Sequence, residues 1–271
     1  MSNRIFGIEH QIGMDPGGRN ISRLILPGHL EAAAVSLLEG DRIVIVSGFY
    51  IPEAQAGETD GPPGAKALGE ALKTLGKEVS YVTDRFNEAY FEALGMVPVI
   101  RYRKGILKRL NPSHLVSIER VGRASNGKYY NMRGVDISAT TAPIDEMFIE
   151  AGKKDITTIG IGDGGNEIGM GKVLEDVNHA IPNGKQIACK VKTDFLIVSG
   201  VSNWGAYGLV AALSLLTEQN LLPDPDVVED EIRILVSLGA VDGVTLKCAE
   251  TVDGLPLSES LALLARLREL I

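Results

Sequence analysis

Asp155-Ile156-Thr157-Thr158-Ile159-Gly160-Ile161-Gly162-Asp163-Gly164-Gly165-Asn166-Glu167 is the stretch on which the fold turns. A short β-branched run passes at once into a glycine- and acid-rich loop. That reads as a buried strand over residues 155–161 ending at a polar rim, with a helix expected over 167–175. The same signature recurs along the chain. Strands are expected over 42–47, 78–83, 114–118 and 194–199, with a sixth over 97–101. Helical patterns fall over 30–38, 64–75, 86–94, 142–151 and 204–219, and two more close the chain over 227–238 and 257–270. Strands alternating with helices imply βαβ units: an α/β fold with a mostly parallel sheet, helices on both faces, and residues 1–271 in one domain.

Composition narrows the function classes. Apolar residues make up 45% and charged residues 23% of 271 positions, ordinary for a globular chain. The net charge of −8 argues against a nucleic-acid or anionic-membrane partner, since both need a basic face. Cys189 and Cys248 have no metal-type spacing and no disulfide framework, which points to a reducing compartment. The first residues carry acids and no long apolar run, so no secretory leader is expected. No stretch reaches the roughly 18 apolar residues of a membrane span. The expectation is a cytoplasmic protein acting on a small molecule, with a homo-oligomer left open.

Working outward from the opening stretch, every expected strand ends in a polar loop. These loops include Glu58-Thr59-Asp60-Gly61-Pro62-Pro63-Gly64 beyond the first strand, Thr83-Asp84-Arg85 beyond the second, Glu119-Arg120-Val121-Gly122-Arg123, Gly162 onward, and Ser202-Asn203-Trp204. In open parallel sheets such loops converge on one rim, where ligands bind. Gly160, Gly162 and Gly165 satisfy G-x-G-x-x-G. Asp163 and Glu167, however, sit where a pyrophosphate needs bare amides, so a dinucleotide site is rejected. Two carboxylates beside Asn166 suit an ammonium, a metal ion or proton transfer instead. Asp60-Gly61 reads either as a turn capping a helix or as an acid beside amides open to a carboxylate. Ser202 and Asn203 read as caps of the helix they open, or as part of a pocket. Arg120, Arg123 and Arg133, with Arg19 as a fourth, are the candidates to bind carboxylates bidentately. No G-x-S-x-G elbow, paired histidines or Walker A sequence is present, so a serine triad and ATP use are not indicated.

The segments 58–65, 118–124, 129–134, 160–171 and 201–205 together resemble the D-glutamate cyclase family, over about residues 15–254. The 160–171 block is the most specific part. In animals the related domain looks like the C-terminal part of a larger mitochondrial protein. This chain resembles stand-alone copies, which implies a bacterial-type cytoplasmic enzyme converting D-glutamate, a small acidic amino acid, to 5-oxo-D-proline and water.

That reaction needs an amine that loses protons, a carboxylate that becomes an electrophile, and an oxygen that leaves as water. The expectation assigns Asp163 or Glu167 to the ammonium as anchor and base, and Glu119 or Asp60 as the acid. Arg120, Arg123 and Arg133 would neutralise the carboxylates, with Gly61, Asn166, Ser202 and Asn203 binding substrate. A divalent cation, Mg²⁺ or Mn²⁺, on Asp60, Asp163 or Glu167 is the alternative electrophile. Rival readings are a non-catalytic sensor of an acidic amino acid or metabolite, and a metal-dependent lactam or amide hydrolase.

Overall fold

A run such as Arg42–Ser47, buried at every residue after the first, cannot be a surface strand and must be covered on both faces. The computed structural model describes residues 2–271. In chain order its elements are α1 (Ser2–Ile12), α2 (His29–Glu39), β1 (Arg42–Ser47), β2 (Tyr50–Ile51), β3 (Ala56–Gly57), α3 (Pro62–Thr74), β4 (Glu78–Thr83), α4 (Glu88–Ala93), β5 (Val99–Arg101), α5 (Ile106–Leu110) and β6 (His114–Ile118). They continue with α6 (Asp145–Ala151), β7 (Thr157–Gly162), α7 (Leu174–Ala180), α8 (Gly184–Ile187), β8 (Phe195–Val198), α9 (Ser202–Thr217), α10 (Pro225–Ser237), β9 (Thr251–Val252), β10 (Leu255–Pro256) and α11 (Leu257–Leu270).

Six strands form one parallel sheet in the order β5-β4-β1-β6-β7-β8. The chain builds outward from β1 to β5, then returns and builds the other way from β6 to β8. The reversal between β1 and β6 parts the loops at their carboxyl ends and leaves a crevice there. Alternate side chains feed two cores. Ile43 and Ile45 of β1 join Val116 and Ile118 of β6 against α1, α2, α3 and α9. Val44 and Val46 join Leu115 against α5, α6 and α7.

Strands 42–47, 78–83 and 114–118 lie where the sequence puts them, β8 and β5 are shorter than expected, and β7 starts two residues later and ends one later. The helix expected over 167–175 is displaced. Glu167 instead bridges Val121, Gly169 and Met170 bridge Lys192, and α7 starts only at Leu174. Helix α1 was not expected; its stripe of Ile5, Ile8 and Ile12 is buried but lies among polar residues. No helix among the described residues is long and apolar enough to cross a membrane.

Candidate functional site

Two helix N-termini meet at the crevice, and each is capped from the other's side. Asp60, just ahead of α3, accepts the amides of Ser202 at 2.9 Å and Asn203 at 2.8 Å, at the start of α9. In return, Asn203 Oδ1 accepts the amides of Gly61 at 3.0 Å and Gly64 at 2.8 Å, in the first turn of α3. This corrects the sequence expectation that each residue would cap its own helix. The orphan amides of both helices are satisfied by the exchange. The approach is close enough that a Cβ on Gly64 would lie 2.8 Å from the Cβ of Ala206.

The acids converge on Ser202. Asp163, just past the end of β7, accepts the Ser202 amide through Oδ2 at 3.0 Å. Glu119, just past the end of β6, accepts the Ser202 hydroxyl through Oε2 at 2.5 Å. Glu119 holds φ at 44°, a left-handed conformation that costs a non-glycine residue of order 1–3 kcal/mol and persists only where its surroundings impose it. Gly61 makes room for it, since a Cβ there would fall 2.9 Å from Glu119 Cβ and 2.6 Å from Ser47 Oγ.

Glu119 and Asp163 line a cleft of ≈ 220 Å³ together with Glu58, Asp253, Asn166 and Arg19, facing an apolar wall of Phe49, Ile51, Met132 and Val244. That volume lies below the roughly 300–1,000 Å³ of drug-sized sites, and suits a small metabolite. Glu58 Oε1 and Asn166 Oδ1 are buried there without a hydrogen-bond partner among the described residues.

Burial governs the electrostatics, because a carboxylate removed from water favours its neutral form. Glu119 is pushed well above the usual carboxylate range by burial, then by the charges of Asp163 and Glu167. Asp163 is raised by burial too, against the pull of Arg19 and with the push of Asp60. Glu58 and Asp253 are raised by burial first. Asp60 is pushed up to about 7 by burial and by Asp253. Burial also works against the charge on Arg19, but Asp163 and Asp253 outweigh it and hold the guanidinium protonated.

Not every expected residue reaches the cleft. Arg120 is 1% exposed and is tied to Asp84 and the Gly48 carbonyl, each at 2.6 Å. Arg123 grips Asp145 through Nε at 2.6 Å and Nη2 at 2.9 Å. Neither guanidinium lines the cleft. Both have a dedicated carboxylate partner, as a charge withdrawn from water requires. Arg133 stands in the cleft lining, with Nη2 donating to the Val244 carbonyl at 2.8 Å.

Glu167 is turned to its own loop, its carboxylate accepting the amides of Gly164 at 2.8 Å and Gly165 at 2.7 Å. The nitrogens a pyrophosphate would use are thus filled from within.

Arg19 and Asp253 carry more of the site than their sequence context suggests. The Asp15 carboxylate accepts the amides of Arg19 at 2.9 Å and Asn20 at 2.7 Å, fixing the root of the arginine. Asp253 and Gly254 form the two-residue turn between β9 and β10, both at positive φ, a hairpin geometry that aspartate-glycine favours. The signals in the sequence are a Gly-Gly-Arg loop and an Asp-Gly pair, and an Asp-Gly pair is sufficiently explained by a turn.

Oxygens of Asp60, Glu119 and Asp163 lie within 4.8 Å of one another. Such an all-oxygen set fits Mg²⁺ or Mn²⁺, with Glu119 standing where Glu167 was expected.

Residues 8–268 match the family described as D-glutamate cyclase-like, C-terminal. The human mitochondrial D-glutamate cyclase is 39% identical over an alignment of 242 residues, with 79% of this chain and 39% of that protein covered. The chain therefore spans well under half of that relative's length. An exopolyphosphatase-related protein from Bacteroides fragilis aligns with a TM-score of 0.46 and 13% identity, over 91% of this chain and 57% of its own. RecJ in complex with Mn²⁺ from Thermus thermophilus gives 0.39 and 15%, over 91% and 38%. Both likenesses are too low to inform the site.

Proposed function

Since the chain belongs to the D-glutamate cyclase-like family along most of its length, we propose that it is a lyase that closes D-glutamate to 5-oxo-D-proline with loss of water. The substrate ammonium becomes an amine and attacks its own side-chain carboxyl carbon. One C–N bond forms and one C–O bond breaks. Two protons leave the nitrogen, and two arrive on the departing oxygen. The site must therefore hold a proton acceptor and a proton donor at the same pH, on either side of the reacting carbon.

The observation that carries this reading is the pair Asp163 and Glu119, both buried in the cleft and both fastened to Ser202. Asp163 is charge-paired to Arg19, whose pull opposes the effect of burial, so of the two acids it gives up its proton more readily and is the acceptor and the anchor for the ammonium. Glu119 faces only like charges among its strongest neighbours, so it holds its proton and is the donor. Glu167 is excluded because its oxygens are already occupied by amides. Asp60 accepts three backbone amides and supports the frame. Ring closure within one bound molecule keeps the entropic cost low. A divalent cation held by Asp60, Glu119 and Asp163 would need all three ionised and, in place of a Glu119 proton, would supply polarisation of a carboxyl oxygen.

The test is an NMR time course with D-glutamate and, separately, L-glutamate, each with Mn²⁺ and with a chelator. Growth of 5-oxoproline signals from the D form alone is expected. No product from a folded sample under any condition would end the cyclase reading, and loss of turnover only in the chelator arm would establish the cation.

A further inference from the structure

Arg19 is one of two arginines lining the cleft, and its two acidic partners are held very differently. Asp163 accepts Arg19 Nη1 at 2.6 Å, and its other oxygen is anchored to the Ser202 amide at 3.0 Å. Asp253 meets Nη2, and its carboxylate has no other hydrogen bond among the described residues. Its position comes only from the hairpin turn between β9 and β10, itself pinned where the Gly254 amide reaches Asp242 at 2.8 Å. One partner is thus built into the frame and the other leans in from a turn. Asp253 also faces the acidic side chains of Asp163, Asp60, Glu58 and Asp242, so it gains nothing from the cleft except Arg19.

We propose that Arg19 receives the reacting side-chain carboxylate of the substrate, and that Asp253 is an exchangeable counter-ion that yields the guanidinium as substrate enters. The assignment rests on the cyclase reading above. It resolves a difficulty in that reading: an anionic substrate must enter a cleft rich in carboxylates, and Arg120 and Arg123 are committed to Asp84 and Asp145. Arg19 is already charged, already desolvated and set beside Asp163. The incoming carboxylate matches the geometry Asp253 occupies, so the guanidinium is never left unpaired. Arg133, which has no acidic partner among the described residues and keeps only carbonyl contacts at the rim, then takes the spectator α-carboxylate. The amine is left facing Asp163.

The experiment uses D-glutamate kinetics together with calorimetric binding of glutarate, a dicarboxylate with no amine that cannot cyclise. Asp253→Asn removes the competing charge while keeping a residue suited to positive φ. It should tighten glutarate binding and lower KM by about two- to fivefold, the span of one partly exposed ion pair. Asp253→Ser should do the same. Arg19→Ala should weaken glutarate binding at least about tenfold, and added guanidinium ion should restore part of the lost turnover, which a purely structural role would not allow. Weaker or unchanged glutarate binding in both Asp253 variants would overturn the exchange, as would wild-type affinity in Arg19→Ala. Glutarate binding through Arg19 without any 5-oxoproline would remove the cyclase reading and leave the exchange standing. Normal 5-oxoproline formation with KM unmoved in both Asp253 variants would remove the exchange alone.

Discussion

Asp163 and Glu119 owe their proposed chemistry to the same circumstance, removal from water, and differ in what else surrounds them. Asp163→Asn keeps the volume but cannot accept a proton, and should lower turnover by at least about 100-fold with the circular dichroism spectrum unchanged. Glu119→Gln, which loses the donor, should do likewise; wild-type turnover in either variant would cancel that residue's role. Much at this scale was legible beforehand. Asp60, Glu119 and Asp163, with Asn166 beside the last, stand out in the sequence because they fall in loops beyond strand ends, which converge on one rim. Arg120 and Arg123 were picked out on residue type alone, and no sequence pattern revealed that Asp84 and Asp145, at unrelated positions, would claim them. Asp253 was hidden by the opposite problem, since the Asp-Gly pair had a sufficient explanation as a turn.

The exchanged caps couple α3 to α9, so a change at one helix should be felt at the other. Asn203→Ala strips the first turn of α3 of its acceptor and should cost about 1–2 kcal/mol, read as an earlier midpoint in urea. Gly64→Ala forces the two N-termini apart and should cost about 1–3 kcal/mol. It should also reduce turnover, because Ser202 holds both Asp163 and Glu119. An unchanged midpoint in Asn203→Ala would mean that water replaces the cap. Elements with buried β-branched runs and clear end signals, such as β1 and β4, could be placed from sequence. The helix expected at Glu167 could not, because a long-range event decided it: the carboxylate bonds back onto Gly164 and Gly165, and the backbone bridges Val121 rather than coiling.

Across the whole molecule, the buried acids set how stability answers to pH. Asp60 moves from 3.8 to about 7 on folding, and Glu58, Glu119 and Asp163 move in the same direction. Between those values the native state binds more protons than the unfolded chain, so stability falls as pH rises. Melting temperature should therefore be higher near pH 5 than near pH 8 in a thermal-shift series without ligand, and Asp60→Asn should flatten the difference; a rise with pH would contradict the burial argument. The parallel α/β class was readable from alternation, whereas the strand order was not, since it depends on which side of β1 each crossover lands. That order places the crevice where many relatives in architecture take up phosphates. The Glu167 carboxylate fills the loop's amides from within. A phosphate entering the crevice finds those amides taken, so the loop that a phosphate would use selects against phosphorylated guests.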